Sequence, residues 1–115
     1  MSLRVLPQLN VIEAPTKPTI DFDMLPMVFE EMEKLYRVII LNDDKTTFEF
    51  VIISLITVFK IEPDRAEDIA WETHTAGEAY VATLPYEEAK EKVVRVKMTA
   101  REKGYPLDFV LEPEE

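Results

Sequence analysis

The run Asn42-Asp43-Asp44-Lys45-Thr46-Thr47 gathers an amide, two carboxylates, an ammonium group and two hydroxyls in one short stretch. Neighbouring carboxylates can hold a cation, position a water or receive an ammonium group. A calcium loop of the EF-hand type needs a glycine at its sixth position, and this run has none. Adjacent residues at the end of a strand also point in different directions, so Asp43 and Asp44 need not serve one ligand. Turn formation and helix capping use the same residue types. On the residues alone, that structural use and a cationic-ligand site both stay open. His74 is the single histidine. Its imidazole can exchange a hydrogen bond with a ligand, but it has no thiol to activate and no serine in a triad context. A joint site with Asp43 requires both side chains to face one cavity.

The rest of the chain removes most other chemistry. Cysteine is absent, which excludes disulfides, thiol nucleophiles and cysteine-based zinc sites. Lys and Arg number 13 against 23 Asp and Glu, a formal charge of -10. That sign opposes docking on nucleic-acid phosphates or an anionic membrane, and it suits a protein partner with a basic surface. The N-terminus shows no apolar segment followed by a small-residue cleavage site. The most apolar stretch, Phe48 to Phe59, falls short of the roughly 20 residues that span a bilayer. The expectation is a cytoplasmic, monomeric protein with no cofactor and no metal.

These residues need a scaffold, and the chain supplies one after residue 34. Half of the 8 prolines (Pro7, Pro15, Pro18 and Pro26) fall in residues 1–34 and break any long regular element. That segment is expected to be a mobile arm, with a short helix in 22–34 that has Pro26 in its first turn. From 35 to 115 the expectation is one α+β domain. Leu35 to Leu41 is short, β-branched and closed by the Asn42 turn, which predicts a strand. Thr46 or Thr47 can cap a helix in which Phe48, Val51, Ile52, Leu55, Ile56 and Phe59 form one apolar face. Pro63 opens a second helix with Ala66, Ile69, Ala70 and Thr73 inward, and Gly77 closes it. Residues 78–84 predict a second strand. Pro85 starts a third helix with the inward stripe Ala89, Val93, Val96 and Ala100, ended by Gly104. Alternation of Leu107, Phe109 and Leu111 with polar positions and Val110 predicts the last strand. The order is β-α-α-β-α-β, with a three-stranded antiparallel sheet packed against three helices.

Outside these stripes, Trp71 is left to pack under the arm or to face a partner. Glu87-Glu88-Ala89-Lys90-Glu91-Lys92 reads as a solvated helix face with ion pairs three and four residues apart.

At LYRVIILNDDKTTFEFV the sequence resembles the bacterial ClpS family, adaptors that deliver N-end-rule substrates to the ClpAP protease. The likeness continues through Thr73-His74-Thr75-Ala76-Gly77-Glu78-Ala79, then Glu87, Ala89, Lys92 and Val93, and ends on Ala100-Arg101-Glu102-Lys103-Gly104-Tyr105-Pro106-Leu107. It implies a non-enzymatic adaptor of three antiparallel strands and three helices, which agrees with the order read above. It implies that Asn42, Asp43 and His74 bind the free α-amino group of a substrate's first residue, with Asp44 and Thr46 shaping the same pocket. The first side chain (Leu, Phe, Tyr or Trp) would enter an apolar cavity lined by Ile40, Phe48, Val51, Ala70, Thr73 and Leu107. Glu87 and Lys92 would meet the N-domain of a ClpA-type unfoldase, and the arm matches the family's variable extension, which takes part in substrate handover. The partners implied are that unfoldase and N-degron proteins.

The sequence departs from the family pattern where the first side chain would sit. Thr-Thr-Phe-Glu-Phe at 46–50 stands where Thr-Pro-Met-Glu-Phe is frequent, and Ala70-Trp71 stands where Met-Leu is usual. Thr73 replaces a valine or alanine, and Val81-Ala82 a Cys-Gly pair. A larger Phe48 facing a smaller Ala70 and a polar Thr73 is expected to reshape the pocket without closing it. The competing reading is a protein-binding module of the same architecture, like the C-terminal domain of the ribosomal stalk, which would not recognise an α-amine.

Overall fold

The computed structural model describes residues 34–114. The expectations for an arm over 1–34 and a helix in 22–34 fall, Lys34 apart, outside the described residues. The elements are β1 (Leu35–Leu41), α1 (Phe48–Thr57), α2 (Pro63–Ala76), β2 (Glu78–Pro85), α3 (Tyr86–Glu102) and β3 (Asp108–Pro113). This is the α+β order expected from the sequence. The sheet is antiparallel throughout, in the order β2-β1-β3.

β1 is central because it is the most apolar strand and gains a ladder on both sides. Ile40 stands opposite Ala79 on one neighbour and Phe109 on the other. Val38, Ile40, Val81 and Phe109 bury against the helices. The β1–β2 register slips between Val38 and Ile39, which face Ala82 and Tyr80, leaving Val81 as an extra residue. The Val81 carbonyl accepts a hydrogen bond from Arg65 Nη2 at 3.2 Å.

The helices form where caps and stripes predict them. Thr47 is the N-cap of α1, its hydroxyl accepting from the Phe50 amide at 3.1 Å. Pro63 lies in the first turn of α2, and the buried residues of that helix are Ala66, Ile69, Ala70 and Thr73. All four members of the α3 stripe are buried. That helix closes with paired bonds, Gly104 N to Arg101 O (3.0 Å) and Tyr105 N to Ala100 O (2.9 Å). Gly104 takes φ 80, which suits a residue without Cβ.

One boundary differs. The apolar spacing carries α1 on to Phe59, yet the helix ends at Thr57 and Lys60 turns to φ 60. The turn directs Phe59 into the core, its ring 5.9 Å from that of Phe109. The same spacing overlooks Ser54, which is also buried.

Candidate functional site

At the end of β1 the backbone N–H of Asn42 donates to the Gly77 carbonyl at 3.0 Å. Gly77 is the α2 C-cap at φ 93, and its own N–H donates to Thr73 O. This junction ties the loop after β1 to the last turn of α2, which carries His74. A Cβ on Gly77 would meet nothing within 4 Å, so glycine is required there by its dihedral rather than by space.

The loop itself is organised around Asp43. Its Oδ1 accepts from the amides of Lys45 (2.8 Å) and Thr46 (2.7 Å), and its Oδ2 accepts from the Thr46 hydroxyl (2.7 Å). Partial burial pushes the Asp43 pKa up. The two Thr46 bonds, the Lys45 amide and the field of Arg101 together outweigh burial and hold the carboxyl below the usual carboxylate range. Asp43 is therefore a fixed anion. A carboxylate offers about four acceptor positions. Three are filled, so Oδ2 can still take a donor from outside. Asp44, Asn42 and His74 have side chains exposed to solvent. Among the described residues, none of the three makes a side-chain hydrogen bond or ion pair. Their polar atoms are free for a ligand.

Beside this loop is a cavity of about 510 Å³, within the range of small-molecule sites. Its lining is graded in depth. Val51, Ala70 and Thr73 are buried, Asp43, Thr46 and Phe48 are half-buried, and Asn42, Asp44, Trp71 and His74 are exposed. The Thr73 hydroxyl donates to the Ile69 carbonyl at 2.7 Å, which satisfies it within the helix. Thr73 consequently costs the cavity little of its apolar character. Aromatic rings continue the wall. Phe48 and Trp71 meet edge to face at 5.3 Å, and Trp71 and His74 at 6.2 Å. The floor is apolar and the rim carries a fixed anion with open donors and acceptors. Such a site can hold an apolar group joined to a cation. Among the described residues no three His, Cys, Asp or Glu side chains stand close enough to share a metal ion.

Nine of the residues singled out by sequence line this one cavity: Asn42, Asp43, Asp44, Thr46, Phe48, Val51, Ala70, Thr73 and His74. Ile40 and Leu107 are not in the lining; each is 1% exposed and belongs to the core. Alternation in β1 turns Ile40 toward the helices. Glu87 and Lys92 lie on α3. Glu87 is exposed, whereas Lys92 Nζ donates to the Val58 carbonyl at the end of α1 (3.1 Å) and pairs with Glu88 (3.9 Å). Trp71 is the lining residue the sequence reading left unassigned. The signal was its spacing: Trp71 stands three positions before His74 and Ala70 four before it, so each is a helical neighbour of His74.

Residues 31–110 match the family model described as ATP-dependent Clp protease adaptor protein ClpS. The chain belongs to the ClpS family. The ClpS adapter of Nautilia profundicola is 42% identical over 98 residues, covering 85% of this chain and 97% of that protein. The ClpS adapter of Acetivibrio thermocellus is also 42% identical, over 81 residues, 70% of this chain and 82% of that protein. Among solved structures, Agrobacterium tumefaciens ClpS2 bound to L-phenylalaninamide has a TM-score of 0.67 and 36% identity, covering 71% of this chain and 99% of that one. ClpS proteins are adaptors of the Clp protease rather than enzymes. In this chain the small Ala70 in the cavity floor is accompanied by two large rings, Phe48 and Trp71, higher in the wall.

Proposed function

We propose that this domain binds the free α-amino group and the bulky hydrophobic first side chain of N-degron substrates, and delivers them to a ClpA-type unfoldase of the ClpAP protease. The observation that carries the reading is that Asn42, Asp43 and His74 line the same cavity as Phe48, Val51 and Ala70. A protonated N-terminus brings three donors and one positive charge. Asp43 Oδ2 supplies the counter-charge, and the Asn42 amide oxygen and a His74 ring nitrogen supply the remaining acceptors. Burying the first side chain against Val51 and Ala70 adds roughly 1.5–3 kcal/mol. Support also comes from the relative from Agrobacterium, which was captured with L-phenylalaninamide, a free amine next to an aromatic side chain. On this reading Glu87 and the neighbouring α3 face contact the unfoldase, Lys92 orients that face, and the cytoplasm is the place of work.

The test is a fluorescence panel of peptides beginning with Leu, Phe, Tyr, Trp, Ile, Met or Ala, each with a free and an acetylated terminus. Free peptides with the four bulky residues should bind and their acetylated forms should not. Equal binding of free and acetylated Phe peptides would favour the plain interaction module over the adaptor reading. Capture of a ClpA N-domain by wild type, but not by a Glu87→Lys variant, tests the delivery half.

A further inference from the structure

We infer that Trp71 is a specificity-determining residue of this site, one that reads the second residue of a bound N-terminus and favours arginine there. The inference rests on the amine-and-side-chain reading above and extends it by one residue. An N-terminal residue has three substituents on its Cα. With the amine at Asp43 and the side chain between Val51 and Ala70, the carbonyl must leave through the mouth. The mouth is built from the exposed part of the lining, and Trp71, 54% exposed, is its apolar member. Successive Cα atoms lie about 3.8 Å apart, and the Trp71 ring is 6.2 Å from that of His74. A second side chain leaving an amine held at His74 therefore begins within reach of the indole.

The indole is also positioned to be read against. Its edge contact with Phe48 braces it from one side, and its carbon backbone belongs to the last turns of α2. Its exposed surface can stack a planar guanidinium, and indole is the best of the aromatic faces for a cation. The lining contains Asp43 and Asp44 but no lysine or arginine. With Asp43 meeting the amine, the exposed Asp44 is the lining charge left over, and it favours a cationic second side chain over an acidic one.

The experiment measures affinities of L-phenylalaninamide, Phe-Arg-amide, Phe-Ala-amide and Phe-Glu-amide for the full chain and for Trp71→Ala and Trp71→Phe. Wild type should prefer Phe-Arg-amide to Phe-Ala-amide by about two- to five-fold, the range of an exposed cation–ring contact, and bind Phe-Glu-amide most weakly. Trp71→Ala should erase the Arg-over-Ala preference, read as the ratio of the two affinities within each variant so that any loss common to all four compounds cancels, and Trp71→Phe should keep part of the preference. An unchanged Arg-over-Ala preference in Trp71→Ala overturns the inference. So does an equal weakening of L-phenylalaninamide and all three dipeptides, which would give Trp71 to the first side chain alone. If wild type fails to bind L-phenylalaninamide at all, the amine reading itself is overturned; if it binds but ignores the second residue, only this extension is lost.

Discussion

The rim of the cavity and the outer face of α3 are both rich in carboxylates, but they hold them in different ways. Asp43 is fixed by three donors from its own loop, and its remaining acceptor capacity is aimed at nothing in the protein. On α3, Glu91 pairs with Arg95 at 3.2 Å with both side chains in water, and the exposed Glu88 pairs with the largely buried Lys92 at 3.9 Å, each pair one helical turn apart. Pairs of that kind are worth about 0.3–0.5 kcal/mol. The contrast separates an anion organised for a ligand from anions that decorate a helix. Recognition of a small cation needs the former, because loop order is already in place before the ligand arrives. A protein partner meeting α3 can work with the latter, summing many weak charges.

The comparison breaks first at Asp43. Replacing it with Ala removes the counter-charge and the centre of the loop, and binding of a free Phe peptide should fall by about 10- to 150-fold or more, the equivalent of a charged hydrogen bond at ~1.5–3 kcal/mol. Asp43→Asn, which keeps an acceptor, should retain more of the loop than of the binding. Glu91→Ala should leave the same affinity unchanged, measured by fluorescence anisotropy. Filling the floor comes next: Ala70→Leu should lower affinity for Phe and Trp peptides about tenfold while Asn42, Asp43 and His74 stay in place, because the added methyl groups occupy the space of the first side chain.

Acid sharpens the same contrast. The Asp43 carboxyl titrates below its ordinary value, so the order it gives the loop is present above the usual pKa of ~3.9 and is lost as pH falls through the lowered native value. A carboxyl-carbon NMR titration should place the Asp43 midpoint below ~3.9; a midpoint at or above that value would contradict the fixed-anion account. Smaller effects are expected on the α3 side. Lys92→Glu should destabilise the fold by about 1 kcal/mol, since it removes the bond to Val58 O and sets a like charge against Glu88. Glu87→Lys should shift thermal stability by less than about 0.5 kcal/mol, so a loss of unfoldase binding in that variant reports on contact alone.

Much of this was legible in the residues because local signals agreed with one another. LYRVIIL closed by a polar turn could be little but a strand, and the small-residue stripe Ala89, Val93, Val96, Ala100 is buried throughout. Gly77 was readable as a helix end, and it takes a left-handed dihedral. The convergence of Asn42 and His74 was not readable from spacing. It depends on the backbone bond between Asn42 and Gly77, a contact between distant parts of the chain. Ile40 and Leu107 lie in the core beside the cavity rather than in its lining: the pleat of β1 turns Ile40 toward the helices, and Leu107 is buried just before β3 begins. Lys92 looked like one more solvated charge, and its long stem instead carries the ammonium to the end of α1. Trp71 was missed because it lies beside the inward stripe of α2 rather than in it, although its spacing to His74 marked the shared face.

The most direct test of the central claim is an NMR titration of the ¹⁵N-labelled protein with L-phenylalaninamide and, separately, with its N-acetylated form. The free amine should perturb the amides of Asn42 to Thr46 and of Thr73 to Thr75, and the acetylated form should leave them unmoved at the same concentration. Equal perturbation by both compounds, or shifts confined to the α3 face around Glu87 to Arg95, would contradict it.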